Sequence, residues 1–149
     1  MFIGIYKIGC VWQKTDGTFT YELLDDGTYG VKASNISSNI TEITIPSTYK
    51  GLPVTVVLKG AFRNITTLEK VIIPEGVSTI ESYAFYSCSA LTDLTIPKSI
   101  KYINAYAFYS CAQLTDVWYN GSVNDKSFIT IGANQKLSSG ATWHYIQED

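Results

Sequence analysis

The sequence predicts a right-handed, β-rich solenoid of about four coils, on three observations. A block of 23 residues recurs in register, short segments alternate apolar and polar side chains, and an Ala-Phe pair returns at the same place in each block. Leu68, Leu91 and Leu114 are 23 residues apart, as are Pro74 and Pro97, Phe62, Phe85 and Phe108, and Cys88 and Cys111. An earlier copy begins at Ile40 and fits once five residues are inserted after Pro46. A further copy opens at Leu114 as LTDVWYNGSV and then diverges. Self-similarity at such a period is the signature of stacked repeats.

The elements follow in order along one domain, residues 1–149, with no linker or low-complexity segment. Residues 1–39 carry two Asp-Gly hairpin signals, in KTDGTF and LDDGTY, and predict a β-hairpin cap. Its strands are expected near Phe2–Trp12, Thr18–Leu24 and Thr28–Ala33, as a meander covering an edge that would otherwise aggregate. In the repeats, residues 40–119, Val71, Ile73, Leu94, Ile96, Val117 and Tyr119 alternate with polar or mixed residues, as in a strand with one buried face. Pro74 and Pro97 stop the strand, because proline fixes φ and donates nothing to a ladder. Val77 with Ile80, and Ile100 with Ile103, supply the opposite wall, and Ala84-Phe85 and Ala107-Phe108 plug the middle. Residues 120–149 are a closing coil, completed by Phe128, Ile129, Ile131, Leu137, Trp143 and Tyr145.

The full pattern, L-x-x-V/L-x-I-P-x-x-V/I-x-x-I-x-x-x-A-F-x-x-C/N-x-x-L, resembles the BspA-like leucine-rich-repeat family from Ile40 to about Leu114. The segment ITIGANQKLSSGATWHY is similar to the closing coil common in that family. The resemblance implies a leucine-rich-repeat solenoid of the α/β superhelix class, with a short parallel β-sheet on its concave face. It also implies an extracellular or cell-surface protein of bacteria or protists, with adhesion as the usual proposal. The family is defined by its scaffold and carries no site of its own.

Composition narrows the function. Apolar residues make up 46% and charged residues 16% of 149, far from a disordered composition. A formal net charge of -2 implies no basic surface, so neither nucleic acid nor anionic membrane is an expected partner. Eleven Tyr, six Phe and three Trp suit a protein- or carbohydrate-binding surface, or simply a β-rich body. The opening MFIGIYKIGCVW is broken by Lys7 and lacks a basic n-region and a small-residue cleavage site, so it does not read as a signal peptide. No apolar run reaches the roughly 18 residues that a membrane span requires.

Cys88 and Cys111 hold the same repeat position, so their side chains point the same way one coil apart. A disulfide needs Cβ atoms that face each other, so a buried thiol ladder is expected, with a bridge or metal as the alternative. Cys10 is left over, and three cysteines without paired spacing give neither a disulfide framework nor a zinc site. The single histidine, His144, is expected as a surface residue or cap contact, too far across the coil to activate a core cysteine. Asp25 and Asp26 belong to a turn. Asp93 and Asp116 occupy equivalent positions on adjacent strands. They read as solvated like charges, with a carboxylate pair or calcium ligands as the alternative. Asn35, Asn39, Asn64 and Asn120 head N-x-S/T sequons, which matter only in a eukaryotic secretory pathway.

The remaining candidate is the sheet face expected to be concave. The first, fourth and sixth positions of each strand point inward, which places Glu42 and Thr44, Lys70 and Ile72, Asp93 and Thr95, and Asp116 and Trp118 together outside. The last strand continues that face with Thr142 and His144. The core does not require a tryptophan where neighbouring repeats carry Thr95 and Thr44. Trp118 is either an exposed anchor for a ligand or a residue packed beneath the C-terminal cap. The expected function is a non-catalytic recognition or adhesion module for a protein or glycan, without cofactor, as a monomer or part of a larger chain. The alternative is a structural spacer of a larger surface protein. An enzyme would need a pocket with convergent titratable groups.

Overall fold

The computed structural model describes residues 5–8, 11–15, 18–34, 36, 39–133 and 135–147. It opens with a four-stranded antiparallel meander, β1 (Ile5–Ile8), β2 (Val11–Thr15), β3 (Phe19–Leu23) and β4 (Tyr29–Ala33). The apolar segment expected as one strand near Phe2–Trp12 is instead two, with Ile8 paired to Val11. The two residues between them in the sequence, Gly9-Cys10, begin with glycine, a weaker turn signal than the Asp-Gly of the other turns, and folding back lets both halves pair. Residues 1–4, Cys10, Asp16, Gly17 and Asn35 lie outside the described residues. At the second Asp-Gly, Asp26 accepts hydrogen bonds from the Thr28 amide at 2.9 Å and hydroxyl at 2.7 Å.

The coils follow as β5 (Glu42–Thr44), β6 (Thr48–Tyr49), β7 (Leu52–Val57), β8 (Lys70–Ile72), β9 (Thr79–Ile80), β10 (Asp93–Ile96), β11 (Tyr102–Ile103) and β12 (Asp116–Tyr119). Helix α1 (Val123–Lys126), β13 (Thr130–Ile131), α2 (Gln135–Ser139) and β14 (Thr142–Tyr145) complete the chain. Each coil contributes one strand to each of two sheets. One is five-stranded and parallel, in the order β5-β8-β10-β12-β14. The other runs β1-β2-β3-β4-β7-β9-β11-β13 and is parallel from β4 onward. The predicted solenoid and its two walls are therefore present, with very little helix.

Between the sheets the repeat positions form ladders. Leu68, Leu91 and Leu114 are fully buried, and so are Val71, Leu94 and Val117 beneath the five-stranded sheet. Val57, Ile80 and Ile103 line the opposite wall. Phe62, Phe85 and Phe108 stack with ring centroids 5.1 Å apart and planes within 11°. The backbone keeps that spacing, since the Phe62 amide donates to Ala84 O at 2.6 Å and the Phe85 amide to Ala107 O at 2.8 Å. Burying one such ring contributes roughly 1.5–3 kcal/mol.

Cys88 and Cys111 are free and buried, as the ladder reading expected. Each thiol donates one coil back, Cys88 to Phe62 O at 3.2 Å and Cys111 to Phe85 O at 3.1 Å. Burial pushes both thiols up to about 12.

The two ends are sealed differently. The five residues inserted after Pro46 fold into the β6–β7 hairpin, with Lys50 and Gly51 both left-handed at φ 48 and 78, as a two-residue I′ turn requires. That hairpin lays Tyr49 on the cap, stacked on Tyr21 at 3.8 Å and edge-on to Tyr29 at 5.2 Å. Where β4 meets the first coil, Gly30 gives Leu58 room, because a Cβ there would lie 2.5 Å from Leu58 Cδ2 and the leucine side chain would have to shift. At the other end Ser122 and Asp125 form a capping box on α1, and Lys98 Nζ bonds Asp125 at 3.0 Å. Leu137 is buried, and Ile129, Ile131, Trp143 and Tyr145 pack against the core. Phe128, expected to join them, is instead 82% exposed. The turn that ends α1 bonds the Ile129 amide to Lys126 O, and Ile129 packs on the core in its place.

Two outcomes test this core. Phe85→Ala should destabilise the domain by roughly 3–5 kcal/mol in chemical denaturation, since it leaves a hole in a dry stack. A loss under about 1 kcal/mol would place Phe85 outside the core. In a Cys10→Ser background, Cys88 and Cys111 should resist a thiol reagent at pH 8 and react fully once unfolded. An unfolded thiol ionises near 9 and the folded ones near 12. Protons therefore leave the unfolded chain first, and stability should fall as pH rises through that window.

Candidate functional site

Period-two alternation turns one side of each strand in the five-stranded sheet outward. Strand pairing then aligns these side chains in two rows across the coils. One row runs Glu42, Lys70, Asp93, Asp116 and Thr142, and the other Thr44, Ile72, Thr95, Trp118 and His144. The candidate residues thus share one surface, and the structure divides them into two groups.

At one end Lys70 Nζ lies 3.6 Å from Glu42 Oε1, both half exposed. Such a solvated pair contributes little, typically under about 1 kcal/mol. At the other end Asp116, Trp118 and His144 meet. The imidazole stacks on the indole with centroids 4.0 Å apart and planes 16° off parallel. His144 Nε2 lies 2.6 Å from Asp116 Oδ1, so with the carboxylate ionised the ring donates from that nitrogen. Thr115 donates to the other Asp116 oxygen at 2.7 Å. The bonds from His144 and then Thr115 hold the Asp116 carboxyl below the usual aspartate range. Asp93, paired with Asp116 in the ladder, accepts from the Thr92 hydroxyl at 2.7 Å.

Trp118 is 40% exposed and so is not buried beneath the C-terminal cap. Trp143 takes that role, donating its indole N–H to Leu137 O at 2.9 Å under the ammonium of Lys126. Among the described residues no group of three or more metal-binding side chains gathers. A cleft of about 400 Å³ beside the last Ala-Phe turn is lined by residues such as Phe108, Ser110, Cys111 and Lys136, with neither His144 nor a carboxylate among them.

A second exposed feature went unnoticed in the sequence. Tyr83 stacks on Tyr106 at 5.4 Å and Tyr86 on Tyr109 at 5.7 Å, and the Arg63 guanidinium lies 6.0 Å over Tyr86. Tyr83 and Tyr106 have left-handed backbones, φ 61 and 62, at the position where the first coil has Gly60 at φ 62. For a residue with a side chain that conformation costs roughly 1–2 kcal/mol, and stacking between coils offsets it. The signal was the repeated Tyr-Ala-Phe-Tyr around Phe85 and Phe108, where the first coil has Gly60-Ala61-Phe62-Arg63.

Residues 32–140 match the family described as BspA type leucine rich repeat region, in six copies. The chain belongs to the BspA-type leucine-rich-repeat family. No curated protein matches the sequence. A leucine-rich repeat protein from T. pallidum is similar in structure, with a TM-score of 0.69 at 24% identity, covering 88% of this chain and 63% of that one. One from Bacteroides ovatus gives 0.54 at 23% identity, covering 95% and 32%. One from Bacteroides capillosus gives 0.53 at 25% identity, covering 73% and 99%. The chain thus spans less than two thirds of the first two relatives. These likenesses concern the fold; the match is to a repeat family and indicates no enzyme family. Among the described residues no helix is long and apolar enough to cross a membrane.

Asp116→Ala should loosen the imidazole from the indole, read as weaker nuclear Overhauser contacts between Trp118 and His144. Unchanged contacts would show that stacking alone holds the ring. Asp116 titrates below its unfolded value, so the wild-type contact should persist at neutral pH and fade as pH falls through that lowered value.

Proposed function

We propose that this BspA-type domain is a non-catalytic recognition module, on or outside the cell surface, that binds a protein or glycan through the outer face of the five-stranded sheet. The observation that carries this reading is Trp118, a large aromatic left 40% exposed on a regular sheet and braced on one side by His144. A rigid aromatic among polar neighbours has the make-up of a binding hot spot. The surrounding face offers Thr44, Ile72, Thr95 and Thr142 with the carboxylates of Asp93 and Asp116, on strands whose spacing the core already sets.

A second reading is a spacer within a larger surface protein, with no ligand of its own. The even stacking of coils into two continuous sheets is what such a spacer would need.

Arrays of glycans and extracellular proteins separate the two. The wild-type domain would be compared with a Lys70→Glu, Asp93→Lys, Trp118→Ala triple variant shown by circular dichroism to be folded. Saturable binding weakened at least about thirtyfold in the variant, the loss of a hot spot worth about 2 kcal/mol, supports recognition through the sheet face. Binding that survives the triple change moves the site elsewhere, and no binding in any position favours the spacer.

A further inference from the structure

The C-terminal half of the sheet face has a geometry that selects among ligands. One ladder rung runs Thr95, Trp118, His144. His144 covers one face of the indole. The neighbour on the other side is only a threonine, too short to cover the second face, and the indole stays 40% exposed. That second face therefore rises as a wall above Thr95. The parallel rung two residues back holds Asp93 and Asp116 side by side. Each carboxylate oxygen accepts through two lone pairs, and the bonds from Thr92, Thr115 and His144 leave several of these sites open.

The charges at this notch are unbalanced. Like charges directly paired across strands repel. Lys70, also beside Asp93 in the ladder, makes its ion pair with Glu42 on its far side. An exposed aromatic face beside a pair of carboxylates suits a planar cation. A guanidinium stacks on the ring face and donates in parallel to a carboxylate, which a compact ammonium does less well and a neutral sugar does not do.

Resting on the sheet-face reading above, we propose that the notch formed by Trp118, Thr95, Asp93 and Asp116 receives an arginine side chain from an extended segment of a protein partner. The partner is a polypeptide with a basic residue, and not a glycan.

The test uses two short peptides, alike except that one carries arginine and the other citrulline, which keeps the shape and loses the charge. Each is titrated into the isotopically labelled domain while backbone and indole N–H signals are followed. The arginine peptide should give saturable shifts at the Trp118 indole and the amides of Asp93, Thr95 and Asp116. Its affinity should fall at least tenfold with citrulline, at least tenfold in Asp93→Asn, and steadily with added salt. Asp93→Asn keeps size and the Asp116–His144 contact, and its spectrum reports whether it is folded. Equal shifts from both peptides, shifts mapping away from the notch, or none up to millimolar peptide would each overturn the proposal. If an array ligand is lost in the triple variant while the arginine peptide gives no shifts, the sheet face recognises something else and only this inference fails. Array binding that survives the triple variant counts against the sheet-face reading, whatever the peptides do.

Discussion

Each coil leaves one flank of its apolar residues bare until the next coil lies on it, and the rest of the structure answers that constraint. The Phe62, Phe85 and Phe108 stack is where it is met most directly, with rings 5.1 Å apart and amides bonding from coil to coil beside them. The thiols belong to the same device. Cys88 and Cys111 are small enough for the tight turn after the phenylalanine and donate to a carbonyl one coil back. A bulkier residue would crowd that turn, and an apolar one of the same size would remove the thiol's bond, leaving Phe85 O with only the Cys88 amide.

The same constraint explains the ends. At the first coil the meander of β1–β4 continues the nine-stranded sheet, so the ladder changes from parallel to antiparallel without an open edge. The five-residue insertion binds cap to solenoid by wedging Tyr49 between Tyr21 and Tyr29. At the last coil α1 stands in the place of the turn between the two strands and α2 in the place of the Ala-Phe turn, and Leu137 and Trp143 take the place of another repeat.

Because the core uses only one side of each strand, the other side of the five-stranded sheet is free of packing demands. The coil spacing nevertheless lines up whatever it carries. Register sets Asp93 beside Asp116, and Trp118 beside His144. The scaffold is thus repetitive while its outer face is individual, and Trp118 and His144 lie where the repeat is least regular.

The 23-residue register, the proline stops and the alternation were enough to determine the solenoid, its two walls, the Phe and Cys ladders and the outward set from Glu42 to His144, because each is a local rule applied once per coil. The exposure of Phe128 was not readable, since no local pattern there distinguishes the outcomes, while the left-handed tyrosines and the reversal in the first apolar segment left only weak signals, Gly60 at the equivalent repeat position and Gly9 between Ile8 and Val11. Only the tertiary structure decided that His144 folds onto Trp118 and bonds Asp116, that Lys70 pairs with Glu42, and that Trp143 closes the coil while Trp118 stays exposed. Register tells which side chains are neighbours. Which of them touch depends on rotamers and on competition among several partners within reach, and that is settled only when all the coils are packed.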